Sequence, residues 1–235
     1  MKKEQILQKV LVGINILFIA AIFVLNYFYQ KQGFDFTLKC ICSGGFALLG
    51  LFNLLYALLL KKGMPGFFLG MAGGLVLAMA GDVLINKDFI LGAAVFALGH
   101  VSFVIAYCFL KKPRLADLIP AAILFGAAGA FLLFSPLLSF DEPLYKIVCL
   151  VYALIISLMM GKALSNCISL KSPSSLLIAL ASALFVFSDL MLVFDWFIGR
   201  WDWTDHACMG SYYPALCFLA LSILLKCGEK TEGQP

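Results

Sequence analysis

Eight stretches of this chain, 10–29, 37–60, 67–85, 89–110, 116–134, 144–160, 174–197 and 206–226, are continuously apolar. Each matches or approaches the roughly 20 residues that an α-helix needs to cross a hydrocarbon core. Backbone N–H and C=O groups in lipid must find partners inside the protein, and a lone apolar segment does so only as a helix. A membrane β-barrel would show short alternating strands instead. Composition agrees: 63% of the 235 residues are hydrophobic and 13% are charged, against roughly 25% charged in a soluble domain. The expected fold is all-α: a polytopic membrane protein of eight transmembrane helices, one domain over residues 1–235.

The net charge of +4 is no nucleic-acid footprint, because the basic residues sit in short connections between apolar runs. With the N-terminus inside, the inner segments carry Lys2, Lys3, Lys9, Lys61, Lys62, Lys111, Lys112, Arg114, Lys162, Lys171, Lys226 and Lys230. The outer ones carry Lys31, Lys39, Lys87, Lys146 and Arg200. Twelve against five places both termini in the cytoplasm. Lys2-Lys3 before an apolar run resembles a signal peptide, but the run is full length and lacks a small-x-small cleavage site, so a retained helix is expected. The eight cysteines are dispersed, without a Cys-x-x-Cys, and the chain has two histidines. That pattern supports no zinc site, and neither metal nor cofactor is expected.

Ionisable groups in hydrocarbon cost on the order of 2.5–3.5 kcal/mol each on insertion scales. Asp82, His100 and Asp189 read as the acid and imidazole side chains well inside apolar runs. Small residues recur every fourth position at Gly66, Gly70, Gly74 and Ala78, ahead of Asp82, and would let a neighbouring helix approach closely. The turn at Asn86–Asp88 is short, so the third and fourth helices are antiparallel neighbours, with Asp82 and His100 expected to meet at intermediate depth. Asn53 either bonds across helices or lines a cavity. The fifth run shows no charged interior residue, and Tyr145 of the sixth reads as an interface anchor. Gly81-Asp82-x5-Asp88-Phe89-x2-Gly92 aligns with Ser188-Asp189-x5-Asp195-Trp196-x2-Gly199, a hint of a parallel four-plus-four repeat.

On this topology Asp82, Ser188, Asp189, Tyr212 and Tyr213 fall in the outer half of the bilayer, and His100 falls near its midplane. That is the arrangement of a pocket open toward one leaflet. Two carboxyls sharing an apolar site do not both ionise, which divides them into an acid and a base. The competing reading is that these groups pair to hold helices together.

At these residues the chain resembles the YhhN-like lysoplasmalogenase family of integral membrane proteins. The likeness lies in Gly81-Asp82, in FALGHVSFVIAY around His100, in ALFVFSD around Ser188-Asp189, and in Tyr212-Tyr213. Leu216 departs from a glutamine common in that family, and some members lack the second aspartate. The resemblance implies hydrolysis of the vinyl ether bond of lysoplasmalogens, giving a fatty aldehyde and glycerophospho-ethanolamine or -choline. It places Asp82 and Asp189 as the carboxyl pair, with His100 orienting a carboxylate or shuttling a proton. Ser188, Tyr212, Tyr213 and Asn53 would contact substrate, a lysophospholipid drawn from the surrounding membrane lipid. Short loops and tails suggest a bacterial inner membrane. The alternatives are a proton-coupled transporter and a non-catalytic membrane scaffold.

Overall fold

Local capping decides where each apolar run becomes a helix. In the computed structural model, which describes residues 2–60, 62–199 and 201–229, Asp35 accepts a hydrogen bond from the Leu38 N–H (2.9 Å) and starts α2 (Phe36–Leu59), after α1 (Lys2–Lys31). Asp88 does the same for Leu91 (2.8 Å) at the head of α4 (Phe89–Leu110). Ser172 caps α7 (Pro173–Phe197). Such caps satisfy N–H groups that the first helical turn leaves unpaired. Proline, preset for a first helical turn, opens α3 (Pro65–Leu84), α6 (Pro143–Leu170) and α7. A 3-10 turn (Leu115–Asp117) precedes α5 (Leu118–Phe134), and α8 runs Asp202–Gly228. All eight helices are long and apolar enough to cross a membrane. Lys61, Arg200 and Lys230, used above to judge sidedness, lie outside the described residues.

The outer skin is apolar: Leu17, Leu59, Ile123 and Phe134 are among the exposed side chains. The interior holds Lys39, Asp82, His100, Asp117, Lys162 and several asparagines and serines. This distribution suits lipid as the solvent.

Two expectations need correction. The sixth helix does not stop near residue 160 but continues to Leu170, and Lys162, read as a loop lysine, is buried within it. The fifth run also carries a buried acid at its start, Asp117. Each explains the other. Lys162 Nζ donates to Asp117 Oδ2 at 2.6 Å and to the Lys112 carbonyl at 3.4 Å. Ser165 donates to the same carboxylate, which also accepts the Arg114 N–H. Asn166 reaches the Tyr107 carbonyl at 2.8 Å. Polar residues that look like loop composition instead fasten α6 to the start of α5. Lys162→Met should therefore cost about 3–5 kcal/mol, because it strands a buried carboxylate. Thermal unfolding in mild detergent should show the loss, and adding Asp117→Leu should recover most of it.

The stripe of small residues on α3 faces α4. A Cβ at Gly74 would lie 2.4 Å from the Phe103 ring, one at Gly66 2.4 Å from Phe109, and one at Gly70 3.0 Å from Ala106. At this close approach Ser102 Oγ donates to the Gly70 carbonyl at 2.8 Å.

Helix neighbours follow the four-plus-four pattern. α1 packs on α2 as α5 packs on α6, and α2 packs on α3 as α6 packs on α7. α3 pairs with α4 as α7 pairs with α8, and α2 packs on α8 as α6 packs on α4. The pattern breaks at the edges. α1 lies against α8, whereas α5, its counterpart, keeps its backbone close to α6 and to the 3-10 turn and stands away from α4. That departure makes room for the cavity described next. Gln8 on the Leu224 carbonyl and His206 on Gln30 tie α1 to α8 at its two ends. The end carrying both chain termini is called the basic end below, and the other the far end.

Candidate active site

Beside the Lys162–Asp117 pair, the structure gathers the buried ionisable groups into two clusters, one around Asp82 and one around Asp189. In the first, α3 supplies Asp82, α2 supplies Lys39 and Ser43, and α8 supplies Tyr213. Lys39 Nζ lies 3.0 Å from Asp82 Oδ1. Ser43 donates to Asp82 Oδ2, and the Tyr213 hydroxyl lies 3.4 Å from that oxygen and 3.4 Å from the Lys39 carbonyl. In the second, α7 supplies Asp189, α6 supplies Tyr152, and α4 supplies His100. The Tyr152 hydroxyl donates to Asp189 Oδ2 at 2.9 Å and lies 2.7 Å from His100 Nε2. His100 Nε2 is 3.4 Å from the same carboxylate oxygen, and Nδ1 faces the Met159 sulfur at 3.2 Å. Each aspartate thus meets a partner on the helix before it, α2 or α6, and another on the last helix of the opposite half, α8 or α4, as duplication would place them.

Asp82 and His100 do not meet, contrary to expectation. The reason is the face on which each side chain lies: α4 presents His100 to α6 and α7, while α3 presents Asp82 to α2 and α8. Among the described residues no hydrogen bond joins the two clusters. Tyr212 separates them, its hydroxyl on the Ala78 carbonyl at 3.2 Å and its ring against Phe96, Phe185 and Phe46. Phe185 in turn packs against His100, with ring centroids 4.6 Å apart.

The clusters differ in access. A cavity of about 340 Å³ lies between α4, α5, α6 and α7, touched by the end of α3 at Ile85. Asp189 and Tyr152 are on its wall, and Asp82 is not. The Asp189 side chain keeps 12% of its surface exposed, against 3% for Asp82. The remaining wall is nearly all apolar, with Ala93, Ala127, Ala128 and Ala153 giving it width. α5 reaches α7 across the chamber through the Phe131 and Phe194 rings, 5.6 Å apart. On the other half, α1 fills the equivalent space against α8. An apolar chamber with one carboxyl group on its wall suits a single-chain amphiphile. Filling it with Ala128→Phe should weaken binding of such a lipid tenfold or more without changing the melting temperature. Titration with a single-chain lysolipid, beside thermal unfolding, would check this.

The other sequence-derived candidates fall in the packing around these clusters. Ser188 Oγ lies 3.4 Å from Cys208 Sγ. Asn53 bonds Asn15 (2.7 Å) and the Ala220 carbonyl (2.8 Å), tying α1, α2 and α8 together away from the chamber. Lys39, Ser43 and Tyr152 are the site residues that sequence reasoning missed. Lys39 had a signal, since it lies inside the second apolar run, four residues before Ser43 and so on the same helical face. Tyr152 had none beyond a one-face spacing with Tyr145, which packs on Phe89 and Phe197. Among the described residues no three His, Cys, Asp or Glu side chains converge as metal ligands.

The model of the YhhN family matches residues 42–223, from within α2 to near the end of α8. The chain belongs to the YhhN family. The match contains both aspartates, His100, Tyr152 and the Tyr212-Tyr213 pair, together with the chamber of this YhhN chain. No curated protein and no solved structure matches it.

Proposed function

We propose that this protein hydrolyses the vinyl ether bond of lysoplasmalogens, with Asp189 as the acid. The observation that carries the reading is a carboxyl group held by Tyr152 and His100 on the wall of an apolar chamber between helices. A vinyl ether cleaves when its β-carbon is protonated. Asp189 in its acid form gives that proton, and the double-bond electrons leave an oxocarbenium ion. The carboxylate then stabilises the cation, as carboxyls do in glycoside hydrolysis. Water adds to the cationic carbon and returns a proton to Asp189. The hemiacetal loses its hydroxyl proton as the glycerol oxygen takes one up, and the carbon–oxygen bond breaks. One water is consumed, and a fatty aldehyde and a glycerophospho-ethanolamine or -choline leave.

His100 and Tyr152 serve Asp189. The chain Nε2, phenol oxygen, carboxylate is short enough to pass a proton. Asp82 acts from outside the chamber in this reading. Its ion pair with Lys39 fixes Tyr213 beside Tyr212, whose ring backs Phe185 and so His100. Ser188 and Asn53 support the same packing. The basic end faces the cytoplasm and the lipid head group lies at the far end, in a bacterial cell membrane.

The test is a substrate panel offered to the purified protein in mild detergent: lysoplasmenylethanolamine, its saturated alkyl-ether analogue and the ester lysolipid. Aldehyde from the vinyl ether alone is expected. Release from the saturated ether or the ester would contradict protonation of a double bond. No product from any of the three would remove the hydrolase reading.

A further inference from the structure

Ser157 on α6 lines the chamber, and its hydroxyl is buried without a hydrogen-bond partner. This is unusual for a helix serine, which ordinarily donates to a carbonyl one turn back. Ser211 and Ser222 do so here, to Ala207 and Leu219, both at 2.7 Å, and Ser182 pairs with Tyr107. Ser157 leaves its own unused. A buried hydroxyl without a partner is costly, and a water or a ligand that occupies the chamber removes that cost.

Its placement narrows the occupant. Tyr152 and Asp189 bond each other, so Ser157 is the hydroxyl on the chamber wall with capacity to spare. It lies five residues beyond Tyr152 on the same helix, about 7.5 Å along the axis at 1.5 Å per residue. Tyr152, Asp189 and Ser157 all line the one chamber, so a substrate lying in it meets both the acid and the spare hydroxyl. Hydrolysis requires a water in a chamber whose wall is otherwise apolar, and a lipid chain lying in it keeps bulk water out. We propose that Ser157 holds the water that captures the cation formed when Asp189 protonates the substrate. The inference rests on the vinyl-ether reading above. The water's second partner is an oxygen of the bound lipid. As that water adds, its proton passes to the Asp189 carboxylate.

Added methanol separates this role from a structural one. Methanol can take the water's place at the cation, giving a mixed acetal that has no hydroxyl proton to lose and so does not collapse to aldehyde. With lysoplasmenylethanolamine and a fixed methanol fraction, wild type should give mostly aldehyde. Ser157→Ala should lower kcat about tenfold, the loss of one neutral hydrogen bond, with KM unchanged. It should also raise the ratio of mixed acetal to aldehyde several-fold. Ser157→Thr, which keeps the hydroxyl, should restore both. An unchanged rate and ratio in a folded Ser157→Ala protein would overturn the proposal. A wild type that releases no aldehyde would defeat the hydrolase reading, and a separate measurement then decides the water site. A high-resolution map of the wild-type protein in a lipid disc should show density about 2.8 Å from the Ser157 oxygen. A hydroxyl turned onto the Ala153 carbonyl, with no such density, would overturn the site whatever the activity.

Discussion

Asp189→Asn should cut aldehyde release from lysoplasmenylethanolamine by 10²- to 10⁴-fold, the range over which a positioned acid contributes to catalysis. The amide has the size of the carboxyl and still accepts the Tyr152 hydroxyl bond, so the fold is expected to survive. What it loses is a proton to give to carbon. The loss should lie in kcat, because the chamber that takes the chain is unchanged. Tyr152→Phe makes the comparison sharper. It removes the hydroxyl between His100 and Asp189 but leaves the carboxyl, so a much smaller loss is expected, about tenfold. Rates for both variants beside their melting curves would check the ordering. Equal losses would mean that the hydroxyl, not the carboxyl, is the acid.

The second large effect is on stability and concerns the other aspartate. Lys39 and Asp82 form a buried ion pair at 3.0 Å. Removing one partner leaves a charge stranded in a low-dielectric interior, which costs about 3–5 kcal/mol. Lys39→Met should therefore unfold at a markedly lower temperature in mild detergent. The double change Lys39→Met with Asp82→Leu removes both charges and should recover most of that loss, as apolar replacement of buried ion pairs commonly does. The same double variant asks what Asp82 is for. If Asp82 holds the wall behind His100, the restored protein keeps a measurable part of its aldehyde release. A restored fold with no release at all would make Asp82 part of the chemistry.

The two aspartates show how far sequence carries. Both stand out in apolar runs because a lone acid in hydrocarbon is expensive, and so does His100. Their difference was not legible. It depends on α5 standing away from α4 while α1 lies close against α8, and no local pattern encodes that distance. The stripe Gly66, Gly70, Gly74 and Ala78 could be read because close approach demands small residues at a fixed spacing. The same kind of rule misled at Lys162 and Asp117. Each alone resembles a loop or a helix end, and only their pairing across α6 and the start of α5 makes burial affordable. Lys39 was counted as an outer connection although the run beginning at residue 37 contains it. Positive charge near a membrane face ordinarily marks an edge, and here a partner on another helix draws it inside. Tyr152 shares a helical face with Tyr145, read as an interface anchor, and nothing local set the two tyrosines apart. Ser157 offered no signal at all, because a serine in a membrane helix ordinarily satisfies itself.

Vinyl ether hydrolysis by this route delivers a proton to carbon inside the chamber. The most direct measurement is the reaction of lysoplasmenylethanolamine run in D₂O, with the aldehyde trapped as it forms and examined by mass spectrometry. Wild type should place one deuterium on the carbon next to the aldehyde carbon, and Asp189→Asn should release almost no labelled product. Aldehyde that forms without that deuterium would contradict protonation of the double bond. Labelled aldehyde made equally well by Asp189→Asn would contradict Asp189 as its source.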